Sequence, residues 1–177
     1  MNMNLPNKLT ILRIILIPFF MIFLLTGHFY ISAVIFIVAS VTDTLDGQIA
    51  RRYNIVTNFG KIMDPLADKL LVFSALLCMI QLGIVPAWMV VIMLARELLI
   101  VSLRAVAAAQ GTVIAASWWG KTKTVSQMAA VILLLLRNWP FGPDGFPLAT
   151  IVLWIAVILT IISGVDYVVK NKEIFKG

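Results

Sequence analysis

The chain has 177 residues, 62% of them apolar and 12% charged, with a formal net charge of +6 and a mean hydropathy of +1.03. That balance excludes a water-soluble globular surface and predicts an all-α integral membrane protein, in which roughly 20 apolar residues per span give room for six transmembrane helices in a single domain over residues 1–177. The lone cysteine, Cys78, excludes an internal disulfide, and the lone histidine, His28, excludes a His-rich metal site.

Breakers and apolar runs place the helices in order. The first span is expected over Leu9 to Thr26, kinked at Pro18 and preceded by a short amino-terminal interfacial segment; Lys8 and Arg13 precede an apolar run that no small-residue cleavage site follows. Gly27-His28 turns the chain into a second span, Phe29 to Ala50. The third is expected from Pro65 to Leu82, with Asp64 as its N-cap and Pro65 at the first helical position. Gly83 precedes the fourth, Val85 to Ala109, and Gln110-Gly111 precedes the fifth, Ser117 to Leu136. A Pro/Gly-rich stretch from Trp139 leads into the sixth, Pro147 to Val169, where Asp166 reads as a helix-packing partner.

Cation placement sets the expected topology. Lys8, Arg51, Arg52, Lys61, Lys121, Lys123, Lys170, Lys172 and Lys176 fall at the amino terminus, in the even-numbered loops or in the carboxyl tail, while the odd-numbered loops offer Arg137 alone. Lys and Arg beside helix ends stay on the cytoplasmic side, so both termini are expected there. The same bias, with anionic lipid headgroups as partners, accounts for the net charge; nucleic acid would require a broad exposed basic face.

Half of the eight acidic residues stand in one pattern, D-x2-D-G-x2-A-R-x8-G-x3-D-x3-D, as Asp43, Asp46, Asp64 and Asp68. Ionisable groups inside apolar segments are costly and ordinarily serve a substrate, an ion or a pathway. Spacings of three and four put each pair on one helix face, and the short segment Arg51 to Gly60 lets the two pairs face each other across a hairpin. Four converging carboxylates need cations to stay ionised, and oxygen ligands without Cys or His favour two Mg2+ or Mn2+ ions. Two such ions about 4 Å apart suit displacement at phosphorus. Gly47 and Ala50 fit close approach of a ligand or, equally, of a neighbouring helix. Arg51 fits a phosphate or a headgroup anchor. A divalent-cation transporter is the reading from a different class, but its acids should line a path reaching both faces, and these gather at one. A structural scaffold would not require four acids at these spacings.

The pattern resembles the signature of the CDP-alcohol phosphatidyltransferase family at all eight fixed positions. The resemblance implies six transmembrane helices, commonly a homodimer, and a dinuclear Mg2+ or Mn2+ site for the pyrophosphate of CDP-diacylglycerol. It makes Asp43, Asp46 and Asp64 metal ligands, and Asp68 both a ligand and the general base that deprotonates the acceptor alcohol. Gly47, Arg51 and Thr57 match nucleotide positions, and Pro6, Asn7 and Thr10 match a family segment that closes over the nucleotide. Thr44 departs from the family, standing where many relatives carry an aromatic residue.

Members differ mainly in acceptor. Arg96 and Arg104, eight residues apart on the fourth helix, and Lys121 and Lys123, opening the fifth, would balance a phosphate dianion and repel choline or ethanolamine. The blander reading pairs Arg96 with Glu97 or another helix and lets the lysines snorkel to headgroups. Leu-Pro-Asn-Lys-Leu-Thr-x2-Arg, Asn-Phe-Gly-Lys-x2-Asp-Pro-Leu-Ala-Asp-Lys, Ala-Arg-Glu and Gly-Lys-x-Lys-Thr resemble the bacterial branch that uses sn-glycerol 3-phosphate. That likeness implies direct attack of the glycerol C1 hydroxyl on the diacylglycerol-bearing phosphorus with loss of CMP, at the cytoplasmic face of the bacterial inner membrane. Serine, inositol phosphate or phosphatidylglycerol as acceptor would call for another cation pattern.

Overall fold

The computed structural model describes residues 5–52, 57–112, 114–115, 117–172 and 174, with their side chains except at 5, 6, 43–52, 58 and 61. Among the described residues there are six helices and no strand: α1 Leu5–Leu25, α2 Phe29–Arg52, α3 Asn58–Gln81, α4 Ala87–Ala109, α5 Trp118–Leu135 and α6 Leu148–Lys170.

Three helices stop by the same device. Gly27 and Gly83, at φ 86° and 71°, take the left-handed backbone that a side chain would strain. The residue after each reaches back into the last turn, His28 N to Phe23 O and Ile84 N to Met79 O, both at 2.9 Å; Thr112 N does the same to Ala107 O at 2.8 Å. At the end of α5 the role passes to Asn138 (φ 62°), whose amide donates to Gly142 O and Phe146 O while its Oδ1 accepts from Ala149 N at 2.8 Å. One side chain thus ties down the Pro/Gly-rich loop and caps α6.

Two expectations are corrected. α1 begins at Leu5, so Pro6 to Thr10 lie in its first turns; the described residues include no separate interfacial segment, and the helix runs on through Pro18. A proline in a first turn sacrifices no hydrogen bond, which is why Pro6 is compatible with helix. α3 begins at Asn58, and Thr57 is its N-cap, extended at φ −101°, ψ 156°, with Oγ1 accepting from Gly60 N at 3.0 Å. Asp64 is therefore not a cap, and Pro65 sits inside the helix. With the cap role filled by Thr57, the Asp64 carboxylate serves a lateral contact instead.

α1, from Asn7, and α6 are long and apolar enough to cross a bilayer. The helices between them are interrupted by ionisable residues such as Asp64, Asp68, Arg96, Glu97, Lys121 and Lys123. The exterior is nonetheless greasy: Ile22, Val34, Val91, Leu98, Ile158 and Val165 are half exposed or more, while Asn7, Thr10, Arg13, Glu97, Lys123 and Ser163 are buried. This inverts the distribution of a water-soluble protein and suits a lipid-facing surface.

The chain forms two compact units, Met1–Ile84 with Leu135–Arg137, and Val85–Leu134 with Asn138–Gly177. In the first, α1 packs extensively on both α2 and α3, which touch each other only sparingly. Phe20 of α1 meets Phe36 of α2 at 6.0 Å between ring centroids, and buried Arg13 donates Nε to Ala39 O at 3.2 Å, fixing the two helices lengthwise. In the second, α4 packs along α6, with Trp88 against Trp154 at one end and Ile100 and Leu103 clustered with Tyr167 at the other.

Candidate active site

The site begins with the cap of α3. The Thr57 hydroxyl accepts from Gly60 N and donates its proton to Asn7 Oδ1 at 2.9 Å, so one hydroxyl secures the start of α3 and the start of α1 together. One turn along α1, Thr10 Oγ1 donates to Asp64 Oδ1 at 2.6 Å, a short bond of the kind an ionised acceptor gives. Asn7 and Thr10 are both buried, three residues apart on one face of α1. A Cβ at Gly60 would lie 3.3 Å from Thr57 Oγ1 and 3.4 Å from both Asn7 Oδ1 and Asp64 Oδ2. The glycine before the second acid pair is thus where the α1 segment and the α3 acid crowd together.

Asp68 follows Asp64 by four residues, so the two share one face of α3, and its side chain is partly buried. Asp43, Asp46, Gly47 and Arg51 lie in the last turns of α2, whose backbone puts Asp43 and Asp46 on a common face. Their side chains, and that of Pro6, lie outside the described residues, as does any meeting of the α2 acids with those of α3. The donors described on α3 are carboxylate oxygens with a hydroxyl beside them. Such a set fits Mg2+ or Mn2+, hard cations that take oxygen ligands.

The second unit holds the four expected cations. Arg96 Nη1 and Lys123 Nζ both donate to one atom, Glu97 Oε1, at 2.8 and 2.5 Å. Arg96 Nη2 donates to Ser163 Oγ. Glycines make room for this arginine: a Cβ at Gly120 would sit 3.2 Å from Nη2, and one at Gly164 would sit 3.3 Å from Arg96 Cγ. Arg104, two turns further along α4, is exposed; its Nε donates to Tyr167 Oη at 2.9 Å, and its guanidinium lies 5.7 Å from the centre of that ring. Lys121 is exposed. Arg96 and Lys123 are brought together, then, while Arg104 is held separately by α6.

Sequence reasoning held Gly120 and Glu97 only within the Gly-Lys-x-Lys-Thr and Ala-Arg-Glu motifs, with Glu97 also as a local partner of Arg96; it missed Ser163, Gly164 and Tyr167. Each lies in a helix otherwise rich in aliphatic residues, so the available signal was a small or polar residue interrupting a span. Asp166, expected to pack, pairs with Lys170 of its own helix at 2.7 Å.

Residues 3–162 match the family model described as CDP-alcohol phosphatidyltransferase. The chain is 47% identical to a Bacillus subtilis protein named CDP-diacylglycerol--glycerol-3-phosphate 3-phosphatidyltransferase, over 98% of its own length and 97% of the relative's. Relatives with the same name from Haemophilus influenzae and Rickettsia bellii are 42% and 41% identical, each over 97% of this chain and over 95% and 97% of their own lengths.

Proposed function

Because the chain belongs to the CDP-alcohol phosphatidyltransferase family, we propose that the acids of α2 and α3 form its catalytic centre and the cations of α4 and α5 its acceptor pocket. The reaction is transfer of the phosphatidyl group from CDP-diacylglycerol to glycerol 3-phosphate. The bond from Thr10 to Asp64 carries the site assignment, because it joins the amino-terminal segment to the acid pair that the sequence pattern singled out.

Asp43, Asp46, Asp64 and Asp68 would hold two Mg2+ or Mn2+ ions, which when bound neutralise the diphosphate and stabilise the leaving CMP. Asn7, Thr10 and Thr57, with Pro6, Gly47 and Arg51, form the CDP-lipid side. There, Thr10 keeps Asp64 in one orientation by holding Oδ1, and the Asn7–Thr57 bond keeps α1 closed on α3. Asp68 takes the proton of the acceptor's C1 hydroxyl as that oxygen attacks the lipid-bearing phosphorus. Arg96, Arg104, Lys121 and Lys123 bind the acceptor phosphate, and Glu97 offsets part of their charge.

The protein works as one membrane domain of six spans in the bacterial inner membrane, with both termini and the site at the cytoplasmic face, as a homodimer. The apolar exterior and the one-sided placement of cations support this reading. Purified protein given radiolabelled glycerol 3-phosphate, CDP-diacylglycerol and Mg2+ should move label into lipid and release CMP. Label that stays water-soluble while serine, inositol phosphate or phosphatidylglycerol is consumed would overturn the acceptor assignment, and cation flux without transfer would overturn the enzyme.

A further inference from the structure

We propose that Glu97 is a positioning residue that sets the spacing of Arg96 and Lys123 so that both reach one acceptor phosphate. The proposal rests on the acceptor reading given above. Its basis is that two donors from different helices meet at a single atom, Glu97 Oε1. Cations close enough to share one carboxylate oxygen are close enough to share one phosphate group, whose oxygens sit at a similar spacing.

The surroundings hold this arrangement tightly. The side chains of Lys123, Glu97 and Arg96 are 3%, 8% and 11% exposed. Arg96 is held from a third helix by Ser163, and it lies close against Gly120 and Gly164, where a Cβ would crowd it. Its Nε is buried without a partner, so the guanidinium is not fully satisfied by the contacts that orient it. Long cationic side chains lose rotamer entropy when they are ordered. Held by Glu97 beforehand, Arg96 and Lys123 incur that cost in folding and not in acceptor binding.

A Glu97 that only neutralised buried charge would affect stability and both substrates alike. A positioning Glu97 affects one. The test is steady-state kinetics of the purified full chain in detergent, varying glycerol 3-phosphate at saturating CDP-diacylglycerol and then the reverse. Glu97→Gln should raise the KM for glycerol 3-phosphate about tenfold, the loss expected for one charge-assisted hydrogen bond, and leave the KM for CDP-diacylglycerol in place. Glu97→Asp, which keeps the charge, should recover part of that loss. An unchanged acceptor KM in Glu97→Gln, or a parallel rise in both constants, overturns the proposal. If Glu97→Gln does not accumulate in membranes, Ser163→Ala decides by the same criterion, because it releases Arg96 Nη2 and leaves the carboxylate: an acceptor-only KM rise supports the proposal and an unchanged one overturns it. A wild-type protein that transfers no label from glycerol 3-phosphate fails the acceptor reading itself and takes this proposal with it.

Discussion

Thr10 Oγ1 donates to Asp64 Oδ1 across 54 residues of sequence, linking the first helix to the acid pair of the third. The bond is short, and Thr10 itself is buried.

Thr10→Val keeps the side chain's shape and deletes this donor. Losing a bond to a charged group costs about 1.5–3 kcal/mol, and here the loss falls on the orientation of a proposed ligand. The Mg2+ concentration for half-maximal activity should rise by about tenfold or more on that scale. A Mg2+ titration of activity indistinguishable from wild type would show that the bond positions nothing.

Gly60→Ala puts a methyl group against Thr57 Oγ1, Asn7 Oδ1 and Asp64 Oδ2. The polar groups it meets are those that close α1 on α3, so they must give by a few tenths of an ångström. Overpacking of this kind costs about 1–3 kcal/mol, and kcat/KM should fall further than thermal stability does. Wild-type kinetics in a stable Gly60→Ala protein would contradict the crowding as a functional feature.

Asp68→Asn removes the proposed base while keeping the side chain's size. Turnover should drop by about 10²–10⁴, the usual contribution of general base catalysis, with nucleotide still bound. Near-normal turnover would refute the role.

Arg104 is set apart from the Arg96–Lys123 pair by its own hold on Tyr167. Arg104→Ala should raise the KM for glycerol 3-phosphate by about tenfold. Tyr167→Phe, which removes only the hydroxyl contact, should shift it in the same direction by less. An acceptor KM unmoved by Arg104→Ala would exclude Arg104 from the pocket.

The helix count was legible because glycines mark the ends: Gly27, Gly83 and Gly111 all take positive φ where the sequence placed turns. The start of α3 was not, because Asp64-Pro65 has the form of an N-cap followed by proline, a local pattern that outweighed the true cap at Thr57. The identities of Asn7, Thr10, Thr57 and Asp64 came from the motifs, and all four turn up in two bonds between α1 and α3. The pairings themselves span 50 and 54 residues and leave no local signature. Arg96 meets Glu97 as the blander reading had it, yet the convergence of Lys123 on the same oxygen required α4 and α5 to be placed first. Asp43, Asp46, Gly47 and Arg51 were legible only as a pattern, their side chains being outside the described residues.

The most direct test of the acid centre is Mn2+ binding followed by electron paramagnetic resonance, in wild type and in an Asp46→Asn, Asp64→Asn double variant. The wild-type chain should bind about two Mn2+ ions with the spin coupling expected at a spacing near 4 Å, and the double variant should lose that coupled signal while remaining in the membrane. Uncoupled binding in wild type, or binding that survives both substitutions, would contradict a shared ion site built from α2 and α3.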